Sequence, residues 1–202
     1  MELQEKLLVE KQLFAAGYRL IAACDEVGRG PLAGPVVCAA VILPIGEGEL
    51  IEGVDDSKKL SAKKREKLDA LIREKAIAYA VCEVDNAVID EINILQATRL
   101  CMKRAVESLS ITPDFVITDG NMTLDIPFPQ RSIVGGDAAC YSIGAASIVA
   151  KVYRDRLMED FAKEYPYYAF EKNKGYGTKA HIEGIREHGL CNIHRKTFTT
   201  KF

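Results

Sequence analysis

Two adjacent carboxylates, Asp25 and Glu26, stand where an apolar run ends and a tight loop begins. Leu20 to Ala23 before them, and Val36 to Leu43 after the loop, each have the length of a buried strand. The loop holds Gly28, Gly30, Gly34, Pro31 and Pro35. Glycine lets backbone approach a ligand closely or take positive φ, while proline fixes φ and removes a donor. Acid at a strand end, beside a loop that exposes its own backbone, suits a cation and a phosphate. A hairpin carrying surface acids is the plainer alternative. Two further acids recur in the same setting. Asp119 follows the strand-like Pro113 to Thr118 and precedes Gly120, and Asp137 follows Arg131 to Val134 and Gly135-Gly136.

Taken singly, each acid has another explanation. Asp137 could cap a helix, Asp119 could open an Asx-turn, and Glu26 could face water. Neighbouring strand ends of one sheet would bring all four together. At ~5 Å and an effective dielectric of ~20, each carboxylate pair then costs about 3 kcal/mol. Such a cluster takes up protons or binds cations. An all-oxygen ligand set favours Mg²⁺ or Mn²⁺ over zinc. Two such ions ~4 Å apart can activate a water and stabilise the leaving oxygen of a phosphodiester. Successive strand residues point to opposite faces, so Asp25 and Glu26 reach one site only if the strand distorts or Glu26 contributes otherwise, such as through its carbonyl.

The elements that must position these acids alternate between strands and helices. Strands are expected near 19–26, 36–43, 77–84, 113–118 and 131–134, and helices near 2–16, 61–75 and 93–109. A long helix begins between 137 and 142 and runs to about Tyr165, with Gly144, Ala145, Ala146 and Ser147 permitting close packing on a sheet. A last helix falls near 179–188. The glycine-rich loop is no dinucleotide fingerprint, because two prolines interrupt it and a strand follows it. The reading is one α/β domain over residues 1–202.

The chain has 202 residues, 48% hydrophobic and 28% charged, with net charge −2. Residues 1–150 hold 16 Lys+Arg against 22 Asp+Glu, whereas residues 151–202 hold 11 against 7. That asymmetry suits a polyanion held on basic residues with its reacting bond over an acidic site. Six cysteines without C-x-x-C spacing read as buried free thiols of a reducing compartment. With no signal-peptide core and no membrane-spanning run, the expectation is a cytoplasmic protein.

Six blocks occur together in order: Asp25 to Gly34; Asp56-Ser57-Lys58-Lys59-Leu60; Thr118-Asp119-Gly120-Asn121; Gly136-Asp137; Ala145 to Lys151; and Lys174-Gly175-Tyr176-Gly177-Thr178. In these blocks the chain resembles ribonuclease HII over residues 18 to about 198. The resemblance implies a ribonuclease H-like fold, a five-stranded mixed sheet flanked by helices with a short helical C-terminal segment. It implies a metal-dependent endonuclease acting on RNA–DNA hybrids and on single ribonucleotides in duplex DNA; separately, a monomer is expected. Cleavage 5′ to the ribonucleotide would leave a 3′-hydroxyl and a 5′-phosphate. The family's catalytic, metal-binding acids fall on Asp25, Glu26, Asp119 and Asp137, with Mg²⁺ or Mn²⁺ as the ions. Its ribose-reading loop falls on Gly28, Arg29 and Gly30, its junction-sensing tyrosine on Tyr176, and further substrate contacts on Ser57, Lys58 and Lys151. Lys151 also has a plainer reading as a solvated position on a long helix. The basic stretch from about 170 to 202 is the expected substrate-holding segment.

Gly177 stands where many relatives have proline, and the chain stops at Phe202 without a further helix that some relatives carry. Ribonuclease HIII would need an extra N-terminal domain, for which the 17 residues before the first strand leave no room. A non-catalytic binding module on the same fold predicts a degraded acid set, yet all four acids are present. A hydrolase of small phosphate esters would leave Gly28-Arg29-Gly30, Tyr176 and the basic C-terminal stretch without a role.

Overall fold

The computed structural model describes residues 3–45, 50–55 and 57–201. Asp56 of the second block, and Glu2 at the start of the first expected helix, lie outside the described residues. Five strands form one sheet: β1 (Ile21–Val27), β2 (Val36–Ile42), β3 (Ala78–Val84), β4 (Phe115–Asp119) and β5 (Gln130–Ile133), in the order β3-β2-β1-β4-β5. β1 to β3 run antiparallel, while β4 is parallel to β1 and β5 to β4. The loop between β1 and β2 is too short for a parallel crossover, so the chain returns beside itself. The long excursion before β4 allows that strand to enter parallel on the other side of β1. This is the expected mixed sheet.

The helices are α1 (Leu3–Lys6), α2 (Leu8–Ala15), α3 (Ala62–Lys75), α4 (Asn86–Glu107), α5 (Gly136–Ala139), α6 (Tyr141–Glu164), α7 (Phe170–Asn173) and α8 (Lys179–His188). α6 covers one face of the sheet, in a core with Ile21, Ala23, Val37, Ala39 and Ile117. α4 covers the other, against Ala22, Cys24, Val36, Cys38 and Val116. Residues 141–150 of α6 are buried throughout, and the small residues Gly144, Ala145, Ala146 and Ser147 among them let the helix lie close on β1. A Cβ at Gly144 would come within 3.0 Å of the Asp137 carbonyl, so the packing of α6 fixes an acid-bearing segment. A third cluster of Ala33, Met158, Tyr168, Phe170 and Ile185 ties the glycine-rich loop to the far end of α6 and the C-terminal segment.

The expected N-terminal helix is broken at Leu7, which is 3% exposed in the core. α4 also begins earlier than its periodicity suggests. Asp85 caps it by accepting from Val88 N, and it breaks at Asn93 (φ 66, ψ 163). The Asn93 side-chain oxygen Oδ1 accepts from Leu95 N and Gln96 N, so the expected helix start is the cap of the second half. All six cysteines are free, as expected, but Cys82 and Cys191 are only half-buried.

Asn93→Ala removes this cap at a backbone angle unfavourable to a Cβ, and should destabilise the fold by about 1–3 kcal/mol in urea denaturation. Asn93→Gly tolerates the angle and should cost less. Equal losses would show that the positive φ carries no strain.

Candidate active site

Asp25 lies within β1 opposite Ala39, only 4% exposed. The strand stays regular beyond it, with Glu26 paired to Cys38 and Val27 to Val37. Of the two geometries open from sequence, distortion at Glu26 is therefore not taken. Asp25 leaves on the α6 face with Ala23, and Glu26 on the opposite face with Cys24. Asp119 closes β4 on the same side as Ile117, and Asp137 lies in the short α5 before α6.

Backbone donors hold three of the acids. Glu26 N donates to Asp25 Oδ1 at 2.7 Å, Gly136 N to Asp119 Oδ1 at 2.6 Å, and Ala138 N to Asp137 Oδ1 at 2.9 Å. The Ser147 side chain lies near the Asp25 carboxyl and favours its charged form, and its hydroxyl oxygen lies 2.9 Å from Ser57 Oγ. That influence is concealed in the sequence by the reading of Ser147 as a small packing residue.

Burial raises the Asp25 carboxyl well above the ordinary range. The charges of Glu26 and Asp119 push it further up, while Ser147 opposes them. Glu26 is raised too, chiefly by burial, with Arg29 opposing and Asp119 adding to the shift. These are carboxylates held where negative charge is costly.

Among the described residues, no three His, Cys, Asp or Glu side chains converge closely enough to hold an ion as they stand. Cations of the protein meet two of the acids instead. Arg29 approaches Glu26 Oε1 at 3.3 Å, and Lys58 Nζ approaches Asp137 Oδ2 at 3.0 Å. Glu26 Oε2 is buried with no hydrogen-bond partner among the described residues. A hard cation would relieve the repulsion, so the oxygen donors of these acids fit Mg²⁺ or Mn²⁺ once Arg29 and Lys58 yield.

The other expected residues are distributed unevenly around the acids. Gly28 takes φ +93, and Gly30 faces the Tyr176 ring, where a Cβ would meet Cε1 at 3.5 Å. Leu32 N donates to Gly175 O at 2.8 Å, so the fold brings the Gly28–Gly30 loop and Tyr176 side by side. Tyr176 is 46% exposed, with its backbone tied to Asn173 and Thr178, and Gly177 abuts Leu32. Ser57 is buried, its hydroxyl engaged by Ser147. Lys151 is paired to Asp155 at 2.6 Å, and Asp155 also meets Arg65 at 3.6 Å. Arg154 and Arg195, unremarked in the sequence, are both wholly buried beneath the glycine-rich loop.

A mixed sheet in this strand order, with acids on its adjoining strands β1 and β4, defines a ribonuclease H-like nuclease fold. Among solved structures, the ribonuclease H2 of Pyrococcus horikoshii OT3 matches with TM-score 0.74 at 28% identity, over 89% of this chain and 94% of that one. The structure of Bst-RNase HIII in complex with Mn²⁺ has TM-score 0.73 at 21% identity, over 96% of this chain and 70% of that one, a likeness of fold alone. The family model described as Ribonuclease HII matches residues 22–201. Ribonuclease HII of Ligilactobacillus salivarius is 55% identical over 198 residues, 98% of this chain and 76% of that one. That of Caldicellulosiruptor bescii is 54% identical over 197 residues, 98% and 92% of the two chains. The chain belongs to the ribonuclease HII family and is an endoribonuclease acting on nucleic acid. No helix among the described residues is long and apolar enough to cross a membrane.

The raised carboxyls make a signed prediction for the metal-free protein. A folded pKa above the unfolded value means that stability is lost as pH rises from the unfolded value through the folded one. Asp25→Asn removes the penalised charge, so its Tm at pH 7 in chelator should exceed that of the parent. The gain should vanish toward pH ~4, where the unfolded carboxyl protonates. An equal or lower Tm at pH 7 would show that the native carboxylate is not under electrostatic strain.

Proposed function

We propose that this enzyme cleaves the RNA strand of RNA–DNA hybrids and incises duplex DNA 5′ to single embedded ribonucleotides, leaving 3′-hydroxyl and 5′-phosphate ends. The observation that carries this reading is the contact of the Gly28–Gly30 loop with Tyr176 beside the strand-end acids. Asp25, Glu26, Asp119 and Asp137 would hold two Mg²⁺ or Mn²⁺ ions when substrate is bound. Those ions would supply activation of the attacking water and stabilisation of the leaving oxygen.

The chain's own residues choose the phosphodiester. Backbone groups of Gly28, Arg29 and Gly30 contact the 2′-hydroxyl that distinguishes RNA from DNA. The exposed Tyr176 ring stacks on the following deoxyribose, where an added 2′-hydroxyl would crowd it. Ser57, Lys58 and Lys151 would serve the phosphate backbone, Lys58 by exchanging Asp137 for a phosphate. The basic segment from about 170 to 202 holds the duplex beyond the cut, through its exposed lysines. Lys174 is mostly spent on Glu159, at 2.6 Å. We place the enzyme in the cytoplasm as a monomer, consistent with its free thiols.

The test is a labelled DNA duplex with one ribonucleotide, incubated with and without Mg²⁺ and sized at single-nucleotide resolution. A single Mg²⁺-dependent cut on the 5′ side of the ribonucleotide is expected. Tyr176→Ala should lower kcat/KM on this duplex by about 10- to 100-fold, the scale of one lost base-stacking contact, and lower it less on an all-RNA strand paired with DNA. Tyr176→Phe should retain most activity. Equal losses for Tyr176→Ala on both substrates would remove Tyr176 as the junction sensor.

A further inference from the structure

Arg154 and Arg195 are large buried side chains, neither exposed to solvent. Among the described residues neither meets a carboxylate, and their hydrogen bonds end on backbone carbonyls. Arg154, from α6, donates through Nε to Pro35 O at 3.0 Å, through NH2 to Ala33 O at 3.2 Å, and through NH1 to Lys174 O at 2.8 Å. Arg195 donates through Nε to Gly34 O at 3.0 Å, through NH1 to Arg29 O at 2.8 Å, and through NH2 to Gly28 O and Gly34 O. Burial lowers both guanidinium pKa values, Arg154 to about 10 and Arg195 to about 9, which leaves both charged at neutral pH. A buried charge without an ionic partner is costly, and the loop carbonyls are what compensate it. The loop conforms to the arginines in turn. A Cβ at Gly28 would overlap Arg154 Nε, and one at Gly34 would lie 2.6 Å from Met158 Sδ.

The residue before Arg195 reaches the other half of the reader. Cys191 N donates to His194 Nδ1 at 2.9 Å, His194 Nε2 lies 3.0 Å from His181 Nε2, and His181 Nδ1 lies 2.9 Å from Tyr176 O. An amide donor at one end and a carbonyl acceptor at the other order the protons between them. His194 carries hydrogen on Nε2 and His181 on Nδ1, both rings neutral. The backbone completes the join. Arg195 N donates to Leu32 O at 2.8 Å, Gly34 N to Ile193 O at 2.9 Å, and Ala33 bridges to His194. One short tail segment, 193–195, therefore touches both the Gly28–Gly30 loop and the Tyr176 loop.

We propose that Arg195, backed by Arg154, is a specificity-positioning residue that holds the ribose-reading loop and Tyr176 at a fixed separation, so that preference for an RNA–DNA junction depends on side chains that touch no substrate. This rests on the roles given above to Gly28–Gly30 and Tyr176. An enzyme whose two reading surfaces drift apart can still place a continuous hybrid over the acids, because every nucleotide of that strand offers a 2′-hydroxyl. It loses the junction, where ribose and deoxyribose must be read together.

Arg195→Lys keeps a positive charge but gathers its donors on one nitrogen, losing the planar fork whose separate nitrogens serve the Gly28, Arg29 and Gly34 carbonyls. Its kcat/KM is measured on the single-ribonucleotide duplex and on the all-RNA hybrid, with Met102→Ala in the core under α4 as a control destabilised elsewhere. The ratio of the two values should fall by at least about tenfold in Arg195→Lys, a misplacement effect, and stay unchanged in Met102→Ala. Combined with Tyr176→Ala, it should fall no further than in the single variants, because one geometry is being lost. Equal losses on both substrates, or ratio losses that multiply in the double variant, would overturn the inference. If Arg195→Lys does not fold, Arg154→Lys takes its place with the same expected ratio, since its carbonyl partners lie on the same two loops. If Tyr176→Ala alone leaves the ratio intact, the reading of Tyr176 fails and the inference falls with it. A ratio that falls in Tyr176→Ala but holds in Arg195→Lys overturns the inference alone.

Discussion

Repulsion between carboxylates held out of water is the constraint on which the rest of the structure depends. Asp25 is almost fully buried, Glu26 follows it on the opposite face of a regular strand, and Asp119 adds its charge from the neighbouring strand. A cluster like this opens up unless its backbone is fixed by packing that the charges cannot displace. Residues 141–150 of α6 supply that packing on one face and α4 on the other. Gly144 illustrates the tolerance, since a Cβ there would press on the Asp137 carbonyl. Arg29 and Lys58 offset part of the repulsion, and Glu26 Oε2 remains without a partner among the described residues. The resting protein thus carries an incompletely balanced site of the kind a cation completes.

The glycine-rich loop presents a second constraint, of opposite sign. Several of its carbonyls turn inward, and inward carbonyls need donors. Two guanidiniums supply them, and the positive charge they bring lies beneath the surface on which a polyanion would rest. One short stretch of chain, Asp25 to Pro35, thus carries two of the acids together with the carbonyls that rest on Arg154 and Arg195.

Much of this was legible in the sequence, for identifiable reasons. The apolar runs marked β1, β2 and β4, because a strand buried on both faces reads as a short continuous run, whereas β3 and β5 are partly exposed and carry weaker patterns. Strand order was not legible from periodicity. Nothing local to Phe115–Asp119 says that it pairs with β1, and only the family resemblance supplied the mixed sheet. Asn93 was read as a helix start because it caps the second half of α4, while the earlier cap at Asp85 passed unnoticed. Arg154 and Arg195 were missed because an arginine is ordinarily an exposed residue, and the glycine-rich-loop carbonyls that satisfy them lie more than a hundred residues away in the chain. Ser147 was missed because a small residue on a close-packed helix needs no other explanation. The opposite faces of Asp25 and Glu26 followed from strand alternation, but the regularity of β1 through Glu26 required the structure.

The central claim is that the strand-end acids together form the cation site over which the phosphodiester is cut. The most direct test is a crystal of the protein with Mn²⁺ and a duplex carrying one ribonucleotide at a non-hydrolysable linkage, examined by anomalous scattering. The account predicts metal peaks ligated by Asp25 together with Asp119, Asp137 or Glu26 and by an oxygen of the scissile phosphate, with Lys58 withdrawn from Asp137. Metal bound elsewhere, or a phosphate seated away from Asp25 with the Arg29–Glu26 and Lys58–Asp137 pairs intact, would contradict it.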